Sequence, residues 1–151
     1  MISAIELLFS FFLYTGDILD LSRNSVSFKY VSTILSLGPI NLTLPESNNT
    51  ADSSGGAIAM YSDSNPEIYN AVVYDNYAGL FGGSMQISNS NPTINYSTII
   101  ANHGEYHGGV LYLTNESEVV VTNSILYDNI PEQFFINDPE DSLTVSFSNV
   151  Q

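Results

Sequence analysis

Apolar and polar residues alternate in short runs along most of this chain, and the runs recur. Val26 and Phe28 flank Ser27, and Ile40, Leu42 and Leu44 enclose Asn41 and Thr43. A period of two marks strands, because successive side chains of a strand point to opposite faces. Gly38-Pro39 and Pro45 read as the turns between these strands. From residue 55 onward the pattern is written several times over. Ile58 and Met60, then Met85 and Ile87, then Leu111 and Leu113 share one face of a first strand, with Ala59, Gln86 and Tyr112 between them. A turn rich in Ser and Asn follows, Ser62-Asp63-Ser64-Asn65-Pro66 and then Ser88-Asn89-Ser90-Asn91-Pro92, with Thr114-Asn115-Glu116-Ser117 as its third version. The next strand brings Ile68, Ile94, Val121 and Val145, spaced 26, 27 and 24 residues apart. Small residues follow at Ala71, Ser97, Ser124 and Ser148, then apolar ones at Val73, Ile99, Leu126 and Val150.

Two further markers share this period. Asn49, Asn76, Asn102 and Asn129 fall at intervals of 27, 26 and 27 residues, and a glycine pair follows the first three at Gly55-Gly56, Gly82-Gly83 and Gly108-Gly109. A repeat of this length is a supersecondary unit that buries its apolar face only by stacking on its neighbours. Corresponding residues recur without reversal, so the three short strands per period lie parallel, coil above coil, about 4.8 Å apart. The asparagines then form a ladder, their amides bonding one another or the turn backbone. Each glycine pair opens a coil, where the missing Cβ permits positive φ and close packing of successive turns. The chain therefore reads as all-β, a single-stranded parallel β-helix or solenoid of about 4–5 coils of 24–27 residues over residues 25–151. Residues 1–24 read as an N-terminal cap, a degenerate coil or a signal-like segment.

The succession Gly-Gly, apolar strand, Ser-Asn-Pro, Ile-x-x-small-x-Ile, Asn resembles the repeat of right-handed parallel β-helix proteins, in particular secreted bacterial repeat proteins and polymorphic outer-membrane protein repeats. The resemblance spans residues 49–151. It implies a right-handed coil, a secreted or cell-surface, outer-membrane-associated location, and a structural or adhesive role. Glu132-Gln133 stand where a glycine pair would be, a departure that implies the array is terminated or interrupted there. Pectate lyases and polygalacturonases share this shape. The alternative is therefore a fragment of a carbohydrate-active β-helix, a polysaccharide lyase or hydrolase with its catalytic coils elsewhere.

Composition narrows the partners. Two Lys+Arg against sixteen Asp+Glu give a formal charge of −14, so nucleic acid and anionic membrane surfaces would repel the protein. With 44 % hydrophobic and only 12 % charged residues, the chain has the profile of a folded single domain rather than a disordered acidic tail. The absence of cysteine excludes disulfides and thiolate sites. The apolar run from Leu7 to Tyr14 is too short to span a bilayer, and Glu6 stands where a signal peptide carries positive charge.

Candidate chemistry is sparse. Lyases of this shape abstract a proton with Arg or Lys, and only Arg23 and Lys29 are present. Polygalacturonases use clustered Asp, a Gly-His-Gly element and a later basic residue. The segment Asn102-His103-Gly104-Glu105-Tyr106-His107-Gly108 offers His103 and His107, but nothing basic follows. The two histidines read as loop residues rather than metal ligands, so no catalytic residue, metal site or cofactor is expected. Asp138, Glu140 and Asp141, with Asp63 and Glu116 in one turn column, are the groups Ca²⁺ would use, against the plainer reading of a solvated acidic loop. Tyr69 and Tyr112 point outward beside Asn95 and Gln86, and such polar-aromatic strand faces stack on sugar rings. The plainer reading is that tyrosine suits an exposed strand. The expectation is thus a non-catalytic module that binds glycan through Tyr69, Gln86, Asn95 and Tyr112. Its partners would be extracellular polysaccharide or a host or cell-surface protein, and its open ends would associate end to end.

Overall fold

The computed structural model describes residues 39–40 and 45–151, with side-chain surroundings defined from residue 47. The alternation around Val26 and Phe28, the stretch from Asn41 to Leu44, the segment 1–24, Arg23 and Lys29 lie outside the described residues. Four short strands make each of the first three coils. The first coil has β1 (Pro39–Ile40), β2 (Pro45–Ser47), β3 (Thr50–Ala51) and β4 (Ile58–Met60). The second has β5 (Glu67–Tyr69), β6 (Val72–Tyr74), β7 (Tyr77–Ala78) and β8 (Met85–Ser88). The third has β9 (Thr93–Asn95), β10 (Thr98–Ile100), β11 (His103–Gly104) and β12 (Leu111–Thr114). The fourth has β13 (Glu118–Thr122), β14 (Ile125–Tyr127) and β15 (Phe134–Ile136), and β16 (Ser142–Ser146) and β17 (Asn149–Val150) begin a fifth. Among the described residues there is no helix, and therefore none long and apolar enough to cross a membrane.

Every strand pairs in parallel with its counterpart one coil away. Four sheets result: β1-β5-β9-β13-β16 (first), β2-β6-β10-β14-β17 (second), β3-β7-β11 (third) and β4-β8-β12-β15 (fourth). The pairing follows the sequence period, since Ile68 faces Ile94, Ile94 faces Val121 and Val121 faces Val145. Val73, Ile99, Leu126 and Val150 stack likewise. This is the parallel β-solenoid that the repeat predicts.

Three details differ from the sequence expectation. The coil has four strands rather than three, because a two-residue strand follows each of the first three ladder asparagines. His103 accordingly lies in β11 beside Tyr77 rather than in a loop. Two residues are too few to show alternation, which is why the sequence hides this strand. In the fourth coil only Ile130 bridges to His103. Pro39 and Pro45 sit in β1 and β2, opposite Glu67 and Val72, rather than in turns. Both strands are outermost among the described residues, the position in which a sheet tolerates a missing N–H.

The corners are made by residues in the left-handed region. Asn70, Tyr96, Asn123 and Phe147 turn the chain from the first sheet to the second, and Asn48, Asp75, Ala101 and Asp128 turn it onward. Asn, Asp and Gly enter this region at least cost, which accounts for Asn48, Asn70, Asn89, Asn115 and Asn123. The two members of a glycine pair serve different needs. Gly82 has φ of 66°, whereas a Cβ on Gly83 would lie 2.4 Å from the His103 carbonyl carbon, in the backbone of the next coil.

Inside, the coils share one apolar core. Ile58, Met60, Ile68, Val73, Met85, Ile87, Ile94, Ile99, Leu111, Leu113, Val121 and Leu126 are all buried. Among the described residues one buried side-chain polar atom, the Ser84 hydroxyl, has no hydrogen-bond partner. One residue before the paired strands, the neighbouring coils place Ala57 and Val110. Ser84→Ala is therefore expected to raise stability by about 1–3 kcal/mol, the cost of a buried unsatisfied polar group. A urea midpoint that falls on this substitution would mean that the hydroxyl is paired.

Polar ladders hold three of the corners. Asn76 Oδ1 accepts both the backbone N–H and the side-chain Nδ2 of Asn49, at 3.0 and 2.9 Å. Asn102 does the same for Asn76, and Asn129 for Asn102. A second column runs from Ala71 N to Ser97 Oγ, from Ser97 N to Ser124 Oγ and from Ser124 N to Ser148 Oγ. A third runs through Ser64, Ser90 and Ser117 and ends on Asp141, whose Oδ1 accepts the Ser117 N–H at 2.8 Å.

Candidate functional site

Outward side chains alternate with the core columns, so each sheet presents a narrow face whose chemistry its own repeat decides. On the fourth sheet the outward column is Ala59, Gln86, Tyr112 and Phe135. Beside it Phe81 pairs with His107 across one coil step. These rings stack on each other. Phe81 and Tyr112 have centroids 4.5 Å apart and planes within 15°, Tyr112 and Phe135 are 5.7 Å apart and nearly coplanar in tilt, and His107 lies 3.9 Å from Phe135. Tyr112 is thus held between rings of the coils on either side and is only 9 % exposed. A sugar cannot reach the faces of a ring already covered by Phe81 and Phe135. Burial, with the nearby charges of Asp138 and Asp141, pushes the Tyr112 hydroxyl above the usual tyrosine range. Gln86 is engaged as well, its Oε1 accepting the Tyr61 hydroxyl at 2.6 Å, and burial raises that tyrosine too.

His107 Nδ1 lies 3.1 Å from Glu132 Oε1, and the same oxygen accepts the Gly108 N–H at 3.0 Å. One coil earlier the equivalent Gly82 N–H goes to the backbone carbonyl of His107. The Glu132 carboxylate therefore takes the place of a main-chain acceptor where the glycine pair is lost, and orients the imidazole while doing so. His103 occupies a separate cluster. Its ring meets Tyr77 edge to face at 5.2 Å, and the Tyr77 hydroxyl donates to Glu105 Oε2 at 2.8 Å, which raises the Tyr77 pKa.

Tyr69 and Asn95 lie on the first sheet, in register with each other and away from Gln86 and Tyr112. The four residues singled out from the sequence therefore divide between two faces. On the first sheet Tyr69 meets Tyr96 edge to face, with centroids 5.2 Å apart. Tyr96 occupies the corner at φ of 50° and is 53 % exposed. Asn95 Oδ1 accepts from Thr122 Oγ1 and Asn123 Nδ2, which holds the amide in place beside the ring pair. This group is more accessible than the stack around Tyr112.

The acidic turn is built into the scaffold. Asp138 Oδ2 accepts from the Asn115 N–H and Thr114 Oγ1, and these bonds lower its pKa below the usual carboxylate range. Asp141 uses its second oxygen for the Asp138 N–H. Among the described residues no group of three or more His, Cys, Asp or Glu is arranged to hold a metal ion. Phe81, Tyr96, Tyr106 and Phe135 are the ring residues that sequence reasoning passed over. The 26-residue spacing of Phe81-Gly82 and His107-Gly108 carried the signal for one of them.

The family model described as a right handed beta helix region matches residues 11–151. No curated protein and no solved structure gives a significant match.

Proposed function

Since the chain belongs to the right-handed β-helix family, we propose that it is a non-catalytic module, secreted or held at the cell surface, that works as a structural and adhesive spacer and binds glycan on the outside of its coils. The observation that carries this reading is the use made of the recurring polar side chains. The ladder asparagines, the two serine columns and the Asp138–Asp141 turn all bond successive coils to each other. What they leave on the outside is strand faces bearing aromatic and amide groups. The sugar-facing group is Tyr69 and Tyr96 with Asn95, because Tyr112 is enclosed in its own stack. No Lys or Arg follows Lys29, so a polyuronate would be repelled and neutral or amino sugars suit this face better.

A glycan array probed with the purified protein tests this reading. Binding to a neutral or amino-sugar polymer is expected, and Tyr69→Ala with Tyr96→Ala should weaken it by about tenfold or more, since each stacking ring contributes about 1 kcal/mol. Absence of glycan binding, or binding indifferent to both substitutions, would exclude this face. Cleavage products from any polysaccharide, lost on His107→Ala, would instead establish an enzyme.

A further inference from the structure

The outer face of the second sheet belongs to neither aromatic group. Two columns make it, Val72, Thr98 and Ile125 beside Tyr74, Ile100 and Tyr127, each paired residue by residue across β6, β10 and β14. Val73, Ile99 and Leu126 between them are fully buried, so these six point outward. Five of the six are apolar or aromatic, and Val72, Ile125 and Tyr127 are 41 %, 48 % and 47 % exposed. The matching outward positions of the first sheet are more polar, Glu67, Thr93 and Val120 beside Tyr69, Asn95 and Thr122. Contiguous exposed apolar surface of this kind marks an interaction site.

Charge selects the occupant. Asp75 and Asp128 follow Tyr74 and Tyr127 at the corner, exposed and in the left-handed conformation, and with Ala101 between them place two carboxylates along one side of the strip. No lysine or arginine of this chain stands anywhere after Lys29 to neutralise them. A second copy of the same face would bring its own acids, and an acidic partner would be repelled likewise. A neutral glycan would leave both carboxylates unpaired and meet aliphatic side chains where it needs hydrogen-bonding groups. We propose that this face docks a cationic protein segment, with aliphatic side chains on Val72, Ile100, Ile125 and Tyr127 and Lys or Arg against Asp75 and Asp128. The strip is about 10 Å tall across three coils, the extent of a short peptide. It is a different face from the sugar-binding one, and its test is independent of that reading.

The probe is a short synthetic peptide alternating lysine and leucine, compared with one in which glutamate replaces lysine and one in which serine replaces leucine. The intact protein is expected to bind the lysine–leucine peptide at least about tenfold more tightly than either control. Ile125→Ser with Tyr127→Ser should remove about tenfold of that affinity. Asp75→Asn with Asp128→Asn should do the same while leaving the fold intact, because asparagine is at home in the left-handed conformation. Neutralising two acids elsewhere, Asp63→Asn with Glu118→Gln, changes net charge equally and should leave binding within about twofold. Equal losses from both neutralised pairs would reduce the effect to bulk charge and overturn the proposal. So would equal binding of the three peptides, or binding indifferent to the Ile125 and Tyr127 substitutions.

Discussion

Asn102→Ala is expected to lower the free energy of unfolding by about 3 kcal/mol or more, and to do so from the middle of the solenoid. The Asn102 side chain is fully buried and bonded on both sides. Its Oδ1 accepts the backbone N–H of Asn76 at 3.1 Å and the Asn76 Nδ2 at 2.9 Å. Its Nδ2 reaches the carbonyls of Val73 and Ile100 and the Oδ1 of Asn129. Alanine removes all of these and takes the side-chain acceptor away from the buried Asn76 N–H. Each such group costs about 1–3 kcal/mol. Asn137→Ala makes the comparison, because that exposed side chain gives one bond, to Asp138 Oδ1, and should cost about 1 kcal/mol or less. Chemical denaturation followed by circular dichroism reads both. Equal losses at the two positions would show that the ladder does not carry the coil-to-coil stability.

Ile94→Ala should cost about 2–5 kcal/mol, the range for deleting a buried aliphatic side chain whose site does not collapse. Ile94 is fully buried, in register with Ile68 on one side and Val121 on the other. Backbone hydrogen bonds fix the coil spacing, so neighbouring columns cannot close the cavity. The same frame predicts that Ser97→Leu is worse than Asn95→Leu. Ser97 is buried, and its Oγ accepts the Ala71 N–H and donates to the Asn95 carbonyl, so leucine there both overpacks the corner and leaves an amide unpaired. Asn95 is half-exposed on the outer face. A denaturation midpoint unchanged by Ile94→Ala, or equal effects at 95 and 97, would reverse the inward and outward assignment.

Aromatic placement separates what could be read in advance from what could not. Gln86 and Tyr112 are adjacent in their column because they are 26 residues apart, and the repeat states that directly. That Tyr112 lies between Phe81 and Phe135, with its faces covered, depends on the corner ahead of the fourth sheet. There Gly82 and Gly108 take positive φ and set the neighbouring ring column alongside. The serine column ending on Asp141 was equally hidden. Ser64, Ser90 and Ser117 look like ordinary turn residues until the hydroxyls of Ser90 and Ser117 are seen to accept N–H groups of the preceding coil, as Asp141 Oδ1 does for Ser117.

By itself the sequence determined the period, the parallel stacking, the inward columns and the asparagine ladder. All of these follow from one rule, that equivalent residues lie one above the other at the strand spacing, and a linear chain displays such equivalence openly. Only the tertiary structure decided where the chain bends within a coil, that a two-residue strand carries His103, that Glu132 replaces a backbone carbonyl beside His107, and that the apolar side chains of the second sheet form one strip bordered by Asp75 and Asp128. These depend on the angles at the corners, which set the neighbours of each outward side chain around the coil, and no periodicity along the sequence records them.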